Sequence, residues 1–83
     1  PYRGWKATFF EGGIRVPLFM RWPGRIAPGS VAQAPGSHLD MFATFAAVAG
    51  AALPSDRAID SINLLGGIIP GTTAQPRPAP LFW

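Results

Sequence analysis

Lys6-Ala-Thr-Phe-Phe-Glu-Gly-Gly-Ile-Arg-Val-Pro17 gathers the chain's one lysine, two adjacent aromatics, a carboxylate, a glycine pair and an arginine into twelve residues. A double glycine between bulky aromatics and a β-prone run requires a sharp turn, or a backbone too close to its neighbour for a Cβ. Lys6 follows Gly4 and Trp5 and reads as a loop residue, and a cation on a loop braced by a strand is well placed to meet an anion. Glu11 and Arg15 lie four apart but off any expected helix, so no i,i+4 pair follows. Both are read as structural, bracing the turn that presents Lys6. From Ile14 the pattern alternates, with Ile14, Val16, Leu18, Met20 and Trp22 on one side and Arg15, Pro17, Phe19 and Arg21 on the other. That is strand periodicity. Pro17 has no ladder donor and belongs at a strand start or edge, which places the regular strand near 17–22.

Downstream, Pro23-Gly24 and Pro28-Gly29 are turn signals, and residues 31–35 can form a second short extended piece. Ser37 followed by Asp40 has the spacing of a helix N-terminus, with the acid near the positive end of the dipole. The pattern predicts a helix near 38–49, ended by Gly50. Leu39, Phe42, Phe45, Ala46 and Ala49 form an apolar face, widened by Met41 and Val48. Only Asp40 and Thr44 are polar in the run from Leu39 to Ala49. A helix this apolar is expected to pack on more than one side. Ile59, Ile62, Leu64 and Leu65 dock a further apolar patch before Gly66-Gly67 breaks regular structure. Residues 71–83 are read as a proline-rich extended segment with the start of another strand at Leu81.

The chain has 83 residues, of which 13% are charged and 48% apolar. Typical soluble domains carry roughly 25% charged residues, and a small free-standing domain has the most surface per residue. Low charge therefore predicts a surface covered by neighbours outside this segment. There is no cysteine, which excludes a disulfide framework or a thiolate metal site within it. The net charge is +3, but the basic residues Arg3, Lys6, Arg15, Arg21, Arg25, Arg57 and Arg77 are dispersed. Nucleic-acid binding proteins concentrate such charge on one face, so no nucleic acid is expected. The most apolar run, Met41 to Leu53, is shorter than the roughly 20 residues a membrane span needs and reads as a core helix, with no membrane partner.

The spacing K-x-x-x-aromatic-E-G-G-x-R-V-P resembles the sulfatase family, the arylsulfatase type in particular. The resemblance continues through Arg21-Trp22-Pro23-Gly24-Arg25-Ile26 and Ser37-His38-Leu39-Asp40-Met41-Phe42-Ala43-Thr44. It extends to Ala49-Gly50-Ala51, Leu53-Pro54 and Asp60-Ser61-Ile62-Asn63-Leu64-Leu65. An ordered match of this length is far more specific than one short motif. Beyond residue 60 the chain departs from the family, with Ser61 where glycine is usual and Gly66-Gly67 where proline and leucines commonly follow. The resemblance implies that residues 1–70 are part of the catalytic domain, of alkaline-phosphatase-like α/β fold, of a sulfuric ester hydrolase.

It also implies a role for Lys6 as both the catalytic and the substrate-binding residue, contacting the sulfate. An ammonium aimed at the sulfate oxygens stabilises charge as the S–O bond breaks, without transferring a proton. Absent the resemblance, Lys6 would be read as a solvated surface lysine. The family uses a formylglycine nucleophile made from a Cys/Ser-x-Pro-x-Arg motif, and a divalent cation, usually calcium, held by Asp and Asn/Gln residues. Neither the motif nor the ligand set occurs here. The acids Glu11, Asp40, Asp56 and Asp60 are too scattered for an oxygen cage of about six to eight ligands. His38 and Asp40, two apart at a helix start, diverge and read as a capped helix with an exposed histidine. Trp5, Phe9 and Phe10 suit either a pocket for an aromatic leaving group or core packing. The expected partner is a small sulfate ester, with the rest of the catalytic domain required. The alternatives are a phosphonate or phosphate ester hydrolase of the same superfamily, and a non-catalytic truncated product or binding module.

Overall fold

Asp40 is the most enclosed side chain of the protein, with no solvent exposure, and the architecture follows from how its carboxylate is satisfied. The structure, a computed structural model, describes residues 1–78 and 80. Its regular elements are two helices, α1 (Glu11–Ile14) and α2 (Asp40–Ala49). A tight turn leads into α2, with Asp40 N–H donating to the Ser37 carbonyl at 2.9 Å and Met41 N–H to the His38 carbonyl at 3.2 Å. The Asp40 carboxylate reaches back to Ser37 N–H at 2.7 Å, the acid's half of a capping box. The Ser37 hydroxyl accepts from Leu39 N–H at 3.3 Å, but regular helix starts at Asp40, two residues later than expected, with Leu39 in the cap position and no side-chain cap bond. At the other end Gly50 adopts φ +68°. Its N–H meets the Ala47 carbonyl at 3.3 Å while Ala51 N–H meets that of Ala46 at 2.9 Å, the paired bonds of a Schellman stop.

The buried face of α2 is Asp40, Ala43 and Thr44, and Ala43 is the one buried hydrophobic among the described residues. Residues 61–64 run across this face and bond to it repeatedly. Ser61 Oγ accepts from Ala43 N–H, in the first turn of α2, at 2.9 Å. Ile62 N–H donates to Asp40 Oδ1 at 3.1 Å, and Leu64 N–H to Thr44 Oγ1 at 3.0 Å. Donors two residues apart reach the same side because an extended segment has period two. The proline-rich stretch then closes over the outside. Asn63 N–H donates to Gln75 Oε1 at 3.0 Å, Thr72 Oγ1 donates to the Leu65 carbonyl at 3.1 Å, and the Arg77 guanidinium pairs with Asp40 Oδ2.

The expectation of strands is corrected. No strand forms near 17–22 or over 31–35 among the described residues. A strand is defined by its partner's hydrogen bonds, and no backbone group from Val16 to Arg21 bonds to another backbone group among the described residues. The alternating side chains survive without a sheet to receive them. The apolar face of α2 is uncovered within this segment, in line with the expected need for neighbours outside it: Phe42 is 53% exposed, Phe45 64% and Leu39 49%. The polar face is the one that packs within the chain. The radius of gyration, 14.4 Å, exceeds the roughly 12 Å of a compact domain this long, and the extents of 39 × 37 × 18 Å describe a slab. The strand start expected at Leu81 lies outside the described residues.

Burial alone raises the pKa of Asp40. The Arg77 hydrogen bond, the N–H groups of Ile62 and Ser37 and the Arg77 charge outweigh it and hold the carboxyl below its ordinary value. A depressed folded-state pKa contributes stability that is present above the unfolded value, about 3.9. That stability is lost as pH falls through the folded value. Asp40→Asn in the protein carrying this segment should remove about 3–5 kcal/mol at neutral pH, the usual cost of breaking a buried pair from one side. It should also flatten the acid limb of stability, and urea melts between neutral pH and pH ~3 read both effects.

Candidate active site

Lys6 occupies the second position of a four-residue turn from Trp5 to Thr8. Thr8 N–H donates to the Trp5 carbonyl at 3.1 Å, and the Thr8 hydroxyl donates to the same carbonyl at 2.7 Å. Thr8 Oγ1 also accepts from Trp5 N–H at 3.2 Å, so one side chain joins both backbone groups of the residue that opens the turn. Ala7 has φ +72° and is the one non-glycine described residue with positive φ. A positive φ at the third position belongs to a type II turn, which favours glycine. Alanine there costs roughly 1–2 kcal/mol.

The glycine pair lies against this turn. Gly12 N–H donates to the Arg3 carbonyl at 2.8 Å. A Cβ on Gly12 would overlap the backbone of Arg3 and Gly4, and one on Gly13 would overlap the carbonyl oxygens of Thr8 and Trp5. Close backbone approach is therefore the reason for both glycines. The sequence reading of this region as a loop without an i,i+4 pair is corrected. Residues 11–14 form the single helical turn α1, and Arg15 Nη1 reaches Glu11 Oε2 at 3.3 Å. Helical backbone brings residues four apart onto one face, and the approach to the Lys6 turn, rather than a helix propensity, wraps the glycines that way. The pair is exposed, so its contribution is small. Arg15 also stacks over Tyr2 at 4.7 Å, and Arg3 over Phe10 at 4.4 Å, which ties the N-terminal residues to α1 by cation–π contact.

Lys6 is solvent-exposed and has no ion-pair partner among the described residues. Trp5 is 75% exposed and Phe9 81%, so neither is core. A cavity of about 320 Å³ runs beside α1, lined by Glu11, Ile14, Arg15, Val16, Gln33, Pro35 and Gly36; Lys6 is not in its wall. His38 is exposed while Asp40 is buried, so the structure does not bring them together. No group of three His, Cys, Asp or Glu side chains able to hold a metal occurs among the described residues. Asp40 is already committed to Arg77, Ile62 and Ser37. The acids present here do not suit a divalent cation. Sequence reasoning missed Thr8 and Ala7, whose roles depend on turn geometry. It also missed Asp40 as a buried hub, which one acid in an otherwise apolar helix could have signalled.

With a lysine turn, a glycine-packed support and an arginine-rich flank in place, comparison with known proteins bears directly on the site. The sequence model of the sulfatase family matches residues 1–51. The chain is 55% identical over 64 residues to a steryl-sulfatase from Rattus norvegicus, covering 77% of this chain and 11% of that protein. It is 46% identical over 71 residues to an N-acetylgalactosamine-6-sulfatase from Homo sapiens, covering 86% of this chain and 14% of that protein. A relative of the same name from Canis lupus familiaris is 43% identical over all 83 residues, which are 15% of its length. The chain belongs to the sulfatase family. It spans about a tenth to a seventh of the length of these relatives. No solved structure matches it.

The glycine packing yields a contrast. Gly13→Ala should destabilise by about 1–3 kcal/mol through backbone displacement, because the added methyl meets carbonyl oxygens that cannot yield. Gly24 has φ +78° with open space around it, so Gly24→Ala should cost only the left-handed penalty of about 1 kcal/mol. Thermal melts of the two variants in the protein carrying this segment, with Gly13→Ala the lower, check the assignment.

Proposed function

We propose that this segment forms part of a sulfuric ester hydrolase that converts sulfate esters to alcohol and sulfate, with Lys6 contacting the sulfate oxygens. The observation that carries the reading is the state of Lys6. It is an exposed cation without an ion-pair partner among the described residues, on a turn held by a double hydrogen bond and a left-handed alanine. Backbone strain of this kind persists where the surroundings over-determine it, and it concentrates at functional sites. Sulfate-ester relatives over most of the chain support sulfate over phosphate or phosphonate as the group bound.

Charge grows on the sulfate and leaving oxygens as the ester S–O bond breaks, and a fixed ammonium interacts more strongly with that state than with the substrate. The nucleophile and the divalent cation that family membership implies, calcium being the expected ion, would come from residues outside this segment. The run 15–22 would gain its ladder partners, and the aromatic face of α2 its covering layer, in the larger α/β domain.

The 83 residues alone should show no aryl sulfate hydrolysis above background and should tend to aggregate through the exposed α2 face. In the intact protein, Lys6→Ala should lower kcat/KM by about a hundredfold or more, the scale of losing one preorganised donor. Lys6→Arg should recover part of that, because a planar fork does not replace a point charge in the same geometry. Arg15→Ala should act first on melting temperature. Normal turnover by a folded Lys6→Ala protein would remove Lys6 from the site.

A further inference from the structure

We infer that Thr8 and Ala7 are positioning residues for the Lys6 ammonium, holding the Trp5–Thr8 turn in the one conformation that presents it. This rests on the reading of Lys6 above and extends it to the residues that orient the lysine. A lysine side chain is a flexible stem, so only its point of attachment can be preorganised. In a four-residue turn the peptide between the second and third positions can face either way, and the two forms are types I and II. Here that peptide joins Lys6 to Ala7. Alanine by itself prefers the type I form, with negative φ, yet Ala7 stands at φ +72°.

Two features impose the unfavoured form. The Thr8 hydroxyl bridges the N–H and carbonyl of Trp5, at 3.2 and 2.7 Å. From beneath, the Gly13 backbone approaches the carbonyls of Thr8 and Trp5 so closely that a Cβ would not fit. The turn is locked on two sides, and the strain sits one residue from the cation. Losing the Thr8 hydroxyl frees the peptide to flip, which re-aims the Lys6 stem while leaving the residue in place. A displacement of about 1 Å at a reacting centre costs up to about a hundredfold in rate.

The test is a double-mutant cycle in the intact protein, with para-nitrophenyl sulfate as probe. Thr8→Val should lower kcat by about ten- to a hundredfold with a smaller change in KM, and Thr8→Ser, which keeps the hydroxyl, should restore most of it. Placed on Lys6→Ala, Thr8→Val should have almost no further effect on kcat, because both changes remove the same interaction. Ala7→Val, which disfavours positive φ, should lose kcat as Thr8→Val does, and Ala7→Gly should retain it. Thr8→Ala adds no bulk and runs the same cycle where Thr8→Val does not fold. A lowered melting temperature with unchanged kcat, or losses that multiply with Lys6→Ala, would overturn the positioning role while Lys6 keeps its own. Full turnover by Lys6→Ala would instead remove the reading of Lys6, and the positioning role with it.

Discussion

A carboxylate with no access to water must have its charge and lone pairs met inside the protein, and this constraint on Asp40 organises much of the chain. Its oxygens accept from Ser37 N–H, Ile62 N–H and Arg77. Those partners come from the turn before α2, from the extended 61–64 segment and from the proline-rich stretch. One buried group thus joins three parts of the chain that are distant in sequence. Removing a partner from such a group leaves an uncompensated charge, which is far costlier than never having buried it. Thr44 and Ser61 repeat the logic on a smaller scale, each meeting a backbone donor across the same interface.

The consequence is a structure held within itself by polar contacts and left apolar outside. Asp40, Thr44 and Ala43 are enclosed, while Leu39, Phe42, Phe45 and Val48 stand exposed on the other side of α2. Burying apolar surface is ordinarily the dominant driving force of folding, and here it contributes little within the chain. The slab-like dimensions are those of a layer rather than of a body with its own interior. A layer of this kind supplies position, and its position is expressed at the Lys6 turn. The glycine pair brings two backbone segments together more closely than any side chain allows, and Thr8 closes the turn above them. Lys6 is exposed to solvent, and the turn that carries it is tied at both ends by the Thr8 hydroxyl.

Composition, the Gly12-Gly13 pair, the Ser37–Asp40 spacing and the Gly50 stop could all be read from local chemistry. They gave the position of α2 to within two residues, and family membership followed from an ordered series of motifs. Lys6 stands out as a candidate only through the family resemblance, since local chemistry alone reads it as a solvated surface lysine. The strand near 17–22 could not be decided in this way. Alternation records that a segment has two faces, whereas a ladder requires a second strand, and none pairs with it among the described residues. Nor could the side of α2 that packs within the chain be read, since counting apolar residues favours the aromatic face. The choice fell to the polar one because the N–H groups of Ala43, Ile62 and Leu64 needed acceptors that Ser61, Asp40 and Thr44 supply. The pairing of Glu11 with Arg15 and the positive φ of Ala7 are also tertiary results. Close approach of the Gly12-Gly13 backbone to residues 3–8 imposes both, and that approach joins parts of the chain whose contact no local pattern reveals.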